Sequence, residues 1–480
     1  MQRISTSAVA PLFGVAATRQ LERLAAEGKP AHTLMRRAGL AVARLAMALA
    51  PHARTVWIAC GPGNNGGDGL EAAANLQQRG IATVVTWLGH ESRLPPDALA
   101  SLQRARAAGV VFADAAPAHW DLAIDALLGI GASRAPDGAM ADWLARMHAS
   151  RAPVLSVDVP SGLDADTGQL ATACPLAGAR YCLSLLTLKP GLFTARGRDA
   201  AGEVWFDDLG CDASGAHPTA CLAGARPTRA RLQASHKGSY GDVAVIGGAV
   251  GMAGAGLLAA TAALHAGAGR VFAGLLDRGV TLDATQPELM LRDPAELDVR
   301  AMTAVCGCGG GTAVRALLPR LLSTARCAVI DADALNAVAA DPALQALLKA
   351  RGRRGQPTVL TPHPLEAARL LGVDVATVQA DRLRAAQQLA DRFGAVVALK
   401  GSGTVVAAVG QLPSINLSGN ARLASAGTGD VLAGMVGAAL ASGVTALDAA
   451  RDAVWHHGDL ADRWPADLPL TAGALAQGAW

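Results

Sequence analysis

Short apolar runs alternate with helical patterns in both halves of the chain, and that alternation most narrows what the sequence can fold into. In the first half, strand-like runs occupy residues 55–60, 82–88, 122–126, 154–157 and 181–186. The second half repeats this grammar at 243–246, 304–306, 328–331, 358–360 and 396–399. Strands separated by helix-length segments make parallel sheets covered on both faces, and such sheets bind ligands beyond the carboxyl ends of their strands. Both halves are therefore expected to be doubly wound α/β. The chain has 480 residues, too many for one ordinary core. Its apolar periodicity breaks near residues 210–235, around Cys211 to Pro218 and Gly224 to Pro227, which predicts domains at 1–215 and 226–480. The halves share no obvious motif and are not read as repeats.

In the second half, Gly427-Thr428-Gly429-Asp430 precedes an apolar helical run beginning near Val431. Glycines let backbone approach an anion closely, and a helix start offers unpaired N–H groups and positive potential. A carboxylate at Asp430 could take a proton from a hydroxyl attacking phosphorus. A plain glycine turn with an acidic residue in the first helical turn is the alternative. Upstream, Val396 to Val406 reads as a strand, a turn and a second strand, with Lys400, Gly401, Ser402, Gly403 and Thr404 between them. Such a turn can hold a diphosphate through amides, hydroxyls and one ammonium, although an ordinary hairpin with an exposed lysine has the same sequence.

In the first half, Gly61-Pro62-Gly63-Asn64-Asn65-Gly66-Gly67-Asp68-Gly69 follows a strand and leads to a helix expected over 70–79. Its glycines predict a tight turn against a pyrophosphate at a helix N-terminus, with Asn64, Asn65 and Asp68 free to contact ligands. Asp125 and Asp158 close two other apolar strands, and acidic residues there are rarely core. Asn65, Asp125 and Ser161 could supply oxygens to a hard cation, but such carboxylates equally cap helices.

Composition excludes several classes. Aromatics are only 3% of the chain, which favours closely packed helices on parallel sheets over an aromatic-rich sandwich. A formal charge of +3 without long basic runs argues against nucleic acid as a partner. The eight cysteines include no CxxC pair and read as small core residues of a reducing, cytoplasmic compartment. The first residues show no secretory pattern. The uncharged run 243–264 contains five glycines and reads as a buried strand, loop and helix, with no membrane partner expected.

Together these motifs, with Asp158-Val159-Pro160-Ser161-Gly162, His236-Lys237-Gly238, Asp331 to Asn336 and Thr361-Pro362-His363-Pro364, resemble the bifunctional NAD(P)H-hydrate repair enzymes, in the family's order and over nearly the whole chain. The resemblance implies an N-terminal Rossmann-like three-layer sandwich and a C-terminal ribokinase-like α/β domain. It implies that the first epimerises (R)- and (S)-NAD(P)HX at C6. Asn64, Asn65, Gly66, Gly67 and Asp68 would bind substrate, and Gly129, Ile130, Gly131, Ala132, Ser133, Arg134 and Ala135 would close over it. Asp158 would be catalytic, Lys189 an accessory candidate, and Asn65, Asp125 and Ser161 would hold K⁺.

The second domain would dehydrate (S)-NAD(P)HX with ADP, assisted by Mg²⁺, giving NAD(P)H, AMP and phosphate. Lys400, Gly401, Ser402, Gly403, Thr404 and Gly429 would hold ADP, Asp430 would be the catalytic base, and Ala255, Gly311 and His363 would contact the hydrate. Substrates on this reading are NADHX or NADPHX and ADP, and self-association into a homo-oligomer is expected. His363 also suits a helix cap, and His456-His457 are read as helix residues without a metal role. Three stretches depart from the family pattern: Cys306-Gly307-Cys308 in a glycine loop, Ile130 where threonine is frequent, and Thr471 to Leu475 without an acidic residue. A small-molecule kinase with a fused nucleotide-binding module, and a first domain that only binds or scaffolds, remain as alternatives.

Overall fold

The computed structural model describes residues 1–131, 135–171, 177–225 and 232–478. Two compact units form, one from Met1–Ser5 with Ala10–Ala220, the other from Thr6–Val9 with Cys221–Trp480. The short segment Thr6–Val9 thus groups with the second unit, although its position in the chain lies inside the first expected domain.

The first unit is built on one sheet, ordered Gln2–Arg3, Glu203–Asp207, Arg180–Leu185, Val154–Val157, Leu122–Ala126, Thr55–Cys60, Ala82–Trp87, Val111–Phe112. All neighbours are parallel except the first edge pair. Alternate residues of its central strand face opposite cores: Val56 and Ile58 pack on one side, Trp57 and Ala59 on the other. The chain builds outward from Thr55–Cys60 in one direction, then returns to place Leu122–Ala126 on its other flank. The loops leaving these two strands therefore diverge, and their gap is the switch point where such sheets bind ligands.

The second unit carries a sheet ordered Met290–Leu291, Arg270–Leu275, Asp242–Gly247, Thr303–Cys306, Cys327–Ile330, Thr358–Leu360, Val396–Leu399, Val405–Ala407, Ser414–Ile415. It is parallel as far as Val396–Leu399, and then turns antiparallel. Val243 and Val245 enter one core, Ala244 and Ile246 the other. Small residues let the layers close tightly: a Cβ on Gly434 would strike the Ala259 carbonyl of the neighbouring helix Ala253–His265. The uncharged run 243–264 is the strand Asp242–Gly247 and most of that helix, and among the described residues no helix is long and apolar enough to cross a membrane.

All ten expected strands form, within a residue at each end. Strands Glu203–Asp207 and Arg270–Leu275 were not expected. Each pairs in parallel with an expected strand, Arg180–Leu185 for the first and Asp242–Gly247 for the second.

Candidate functional site

In the first unit the helix after Thr55–Cys60 starts at Asn64, six residues before the expected Leu70, and runs to Gln77. The expected glycine loop is largely helix, and the glycines serve close packing. A Cβ on Gly66 would collide with the Gly61 carbonyl, one on Gly61 with the Leu127 carbonyl, and one on Gly67 would lie 2.7 Å from Met35. The helix start is thus pressed between neighbouring strand ends, and no side chain caps it. Gly66 and Gly67 face protein, while Asn64, Asn65 and Asp68 border a cavity of about 570 Å³.

Gly129, Ile130, Gly131 and Asp158 line the same cavity, and Ala135 is exposed outside its lining. Ala132, Ser133 and Arg134 lie outside the described residues. Asp158 follows Val154–Val157 with φ of 67°, a left-handed conformation that aspartate tolerates better than most residues. That turn brings its carboxylate onto the Lys189 ammonium, with the Leu185 amide donating at 3.1 Å. Lys189 is fully buried and also donates to the Leu185 carbonyl at 2.7 Å. Glu22, from the helix Val15–Ala26, borders the cavity too. Burial, and then Asp158 and Glu22, hold the Asp68 carboxyl well above the usual range; burial and Asp158 likewise raise Glu22. Glu22, Asp68 and Asp158 therefore line one chamber, and the Lys189 ammonium paired with Asp158 is buried outside that lining.

Asp125 and Ser161 sit at strand ends outside the lining of the cavity. Ser161 donates its hydroxyl to Asp125 Oδ1 at 2.6 Å and its amide to Oδ2 at 2.9 Å, while Ser161 Oγ accepts the Leu128 amide at 2.9 Å. Burial raises the Asp125 pKa against the pull of these donors. Asn65 packs against Gly129, next along the same loop, and its buried Nδ2 has no hydrogen-bond partner. The set offers hard oxygens of the kind an oxygen-liganded cation takes, whereas the unsatisfied Asn65 Nδ2 is a hydrogen-bond donor and no cation ligand.

In the second unit, helix Thr428–Ala441 begins behind Gly427, whose φ is 88° and which no side chain caps. Its first amides have no intrahelical acceptor. From behind, His457 on helix Ala446–Arg463 contacts the Thr428 carbonyl through Nε2 at 2.9 Å, and burial depresses its pKa to about 4. His456 lies beside it on that helix, as expected.

Asp430 lies in the first turn of Thr428–Ala441 and converges with Asp331 and Cys308, one donor atom of each falling within 4.8 Å of the others. Burial, then Asp331, raise the Asp430 pKa to about 6 against the opposing pull of Cys308 and Lys400. Asp331 Oδ1 accepts from Lys400 Nζ and from Thr361 Oγ1, each at 2.8 Å. Burial opposes the Lys400 charge, but Asp331 and Glu366 outweigh it, and its pKa is raised. Lys400 Nζ would also stand 3.3 Å from a Cβ on Gly429, so the two expected phosphate loops meet. In the Lys400 turn Ser402 is exposed, Thr404 Oγ1 donates back to the Gly401 carbonyl at 3.2 Å, and buried Arg382 donates to the Leu399 and Lys400 carbonyls.

His363 caps helix Pro364–Leu371, its Nδ1 accepting the Leu365 and Glu366 amides while Glu366 accepts the His363 amide at 2.8 Å. The expected cap is therefore present, and Nε2 reaches Glu366 Oε1 at 3.2 Å. Burial raises Glu366 to about 7, and burial and Lys400 lower His363. Gly311 and Ala255 belong to one neighbourhood: a Cβ on Gly309 would lie 2.8 Å from Ala255 Cβ, and the Gly311 amide donates to Asp333 at 2.8 Å.

Sequence reasoning missed Glu22, Arg382 and the Asp331–Lys400 pair. The first two stand alone on ordinary amphipathic helices and carry no motif. Asp331 ends an apolar strand as Asp125 and Asp158 do, a signal sufficient to have found it.

Two families match the chain, one described as NAD(P)H-hydrate dehydratase over residues 243–477, the other as YjeF-related protein N-terminus over residues 31–191. A bifunctional NAD(P)H-hydrate repair enzyme of Escherichia coli is 38% identical over 92% of this chain and 88% of its own. An ADP-dependent (S)-NAD(P)H-hydrate dehydratase of Neisseria meningitidis is 44% identical over 52% of this chain and 85% of its own. A crystal structure of an ADP/ATP-dependent NAD(P)H-hydrate dehydratase from Bacillus subtilis, co-crystallised with ATP and Mg²⁺, is 29% identical with a TM-score of 0.43, covering 52% of this chain and 90% of that one.

Proposed function

The chain belongs to the bifunctional NAD(P)H-hydrate repair enzymes, and from that premise we propose how its residues divide the work. It is a metabolite-repair enzyme, an isomerase and a lyase on one polypeptide, with a Rossmann-like and a ribokinase-like α/β fold. It epimerises (R)- and (S)-NAD(P)HX and dehydrates the (S) form to NAD(P)H. The kinase and scaffold alternatives give way to this membership.

We assign epimerisation to the domain spanning 1–215 and its cavity. Asn64, Asn65, Asp68 and the segment 129–135 bind the hydrated dinucleotide, with Gly66 and Gly67 kept small so that the helix start packs against Gly61 and Met35. Asp158 moves the proton at the reacting ring, and the ion pair with Lys189 holds that carboxylate in place. The single observation carrying this is Asp158, paired with the buried Lys189, on the wall of a cavity of about 570 Å³. K⁺ fits the oxygens of Asn65, Asp125 and Ser161, and would supply fixed positive charge beside the substrate phosphates.

Dehydration belongs to the domain spanning 226–480. ADP lies against Lys400 to Thr404 and the amide of Gly429, and the hydrate against Ala255, Gly311 and His363. Hydroxide is a poor leaving group, so the hydroxyl is first phosphorylated. Asp430 accepts the hydroxyl proton as that oxygen attacks the β-phosphorus of ADP and AMP departs. The ring nitrogen lone pair then expels phosphate, and loss of the adjacent ring proton restores the reduced nicotinamide. Mg²⁺, when bound with the nucleotide, would supply positive charge for the phosphate oxygens. Convergence of Asp430, Lys400 and Gly429 supports this reading. We further propose a cytoplasmic homo-oligomer without nucleic-acid or membrane partners; the described cysteines are all free, as a reducing compartment keeps them. The experiment is turnover of mixed NADHX epimers with ADP, Mg²⁺ and K⁺ each omitted in turn: ADP-dependent return of NADH supports the lyase, and no ADP dependence sinks it.

A further inference from the structure

We propose that Cys308, Asp331 and Asp430 form a binding site for a thiophilic divalent cation such as Zn²⁺ or Cd²⁺, through which the metal shuts down the second unit. Their three donor atoms already lie within 4.8 Å of one another, and Cys308 Sγ stands 3.9 Å from Asp331 Oδ2. Tetrahedral zinc with bonds of about 2.3 Å to sulfur and about 2.1 Å to oxygen needs ligands roughly 3.6 Å apart, so only small side-chain movements complete the triad. Asp331 is also pre-oriented: Lys400 and Thr361 occupy its Oδ1, and Oδ2 is left facing the thiol. Outer hydrogen bonds of this kind fix a ligating carboxylate without competing for its metal-binding oxygen.

Charge and ligand chemistry choose the cation. On binding, the Cys308 thiol releases its proton to solvent and a sulfur–metal bond forms, with no change of oxidation state. Two carboxylates and one thiolate, set against the Lys400 ammonium, leave two negative charges, which a divalent ion neutralises. Sulfur selects zinc-like ions over Mg²⁺, which keeps oxygen ligands and water. Three protein ligands leave a fourth position open, where a nucleotide phosphate or water completes the shell. The consequence rests on the role proposed for Asp430: a metal-held carboxylate no longer accepts the hydroxyl proton, and dehydration stops. Nothing in this chemistry touches the first unit.

The test titrates the full-length protein with Cd²⁺ and follows the ultraviolet thiolate-to-cadmium charge-transfer band beside both activities. We expect one tight equivalent per chain, dehydration lost in step with the band, epimerisation unaffected, and chelation reversing both effects. Cys308→Ser loses the tight equivalent and the inhibition, whereas Cys211→Ser and Cys221→Ser, at partly exposed thiols, keep them. Should Cys308→Ser not fold, Asp430→Asn serves instead, weakening Cd²⁺ at least tenfold while the band remains. A tight band that survives in Cys308→Ser, or that disappears in Cys221→Ser, overturns the site. The band reports binding even if the second unit has no dehydratase activity, and normal activity without a tight band sinks this inference alone.

Discussion

Asp430 owes its basicity to burial beside Asp331, which lifts its pKa to about 6. A base works only when unprotonated, so dehydration should fall about tenfold per pH unit below about pH 6, where an exposed aspartate would hold its rate to about pH 4. A pH profile of kcat/KM for dehydration checks this. Asp430→Asn should reduce dehydration by at least a thousandfold and leave epimerisation near normal. Asp158→Asn should abolish epimerisation with the fold intact, because asparagine also tolerates the left-handed backbone that Asp158 adopts. Glu366 tests linkage. Its folded pKa of about 7 exceeds 4.5, so its neutral form is favoured on folding; that contribution is complete below about pH 4.5 and lost as pH rises through about 7. Glu366→Gln mimics the neutral form and keeps an acceptor for the His363 amide. It should therefore stabilise the second unit at pH 8, by on the order of 3 kcal/mol, and change little at pH 4.5, as thermal unfolding at both values would show.

Two helix starts show what a sequence discloses at the scale of an element. Gly427 takes φ of 88°, and a Cβ there would also lie 2.7 Å from Leu258. Gly427→Ala should cost roughly 1–2 kcal/mol of stability and weaken ADP by at least tenfold, read by denaturant unfolding and by the ADP dependence of the rate. That helix began where the motif implied, within a few residues. The helix from Asn64 did not, because glycines that signal a loop in sequence are here helical residues kept small for a carbonyl and a methionine. Distinguishing the two uses needs the partner surface, which Gly61, Leu127 and Met35 supply only after folding. Buried strands were legible because each is a continuous apolar run. Glu22, which borders the cavity from a helix far away in sequence, was not.

At the scale of the whole molecule, the two sites are built from separate sets of residues in separate units. The carboxylates that could be named beforehand, Asp125, Asp158 and Asp430, end strands or start helices at the edges where α/β sheets bind ligands. Lys189 was legible only as an accessory candidate and Asp331 only as the start of a motif; their pairings with Asp158 and Lys400 emerged with the topology. The central claim is that one polypeptide carries an isomerase and a lyase that fail independently. The measurement that tests it most directly follows the absorbance of reduced nicotinamide when mixed (R)- and (S)-NADHX meet wild type, Asp158→Asn or Asp430→Asn, with ADP, Mg²⁺ and K⁺ present. Wild type should consume both epimers; Asp158→Asn should rapidly return only the (S) share, leaving (R) to its spontaneous rate. Asp430→Asn should interconvert the epimers and return almost no NADH, and adding Asp158→Asn to it should restore consumption of both. Loss of both activities in either single variant, or failure of the mixture to restore turnover, would contradict the two-site account.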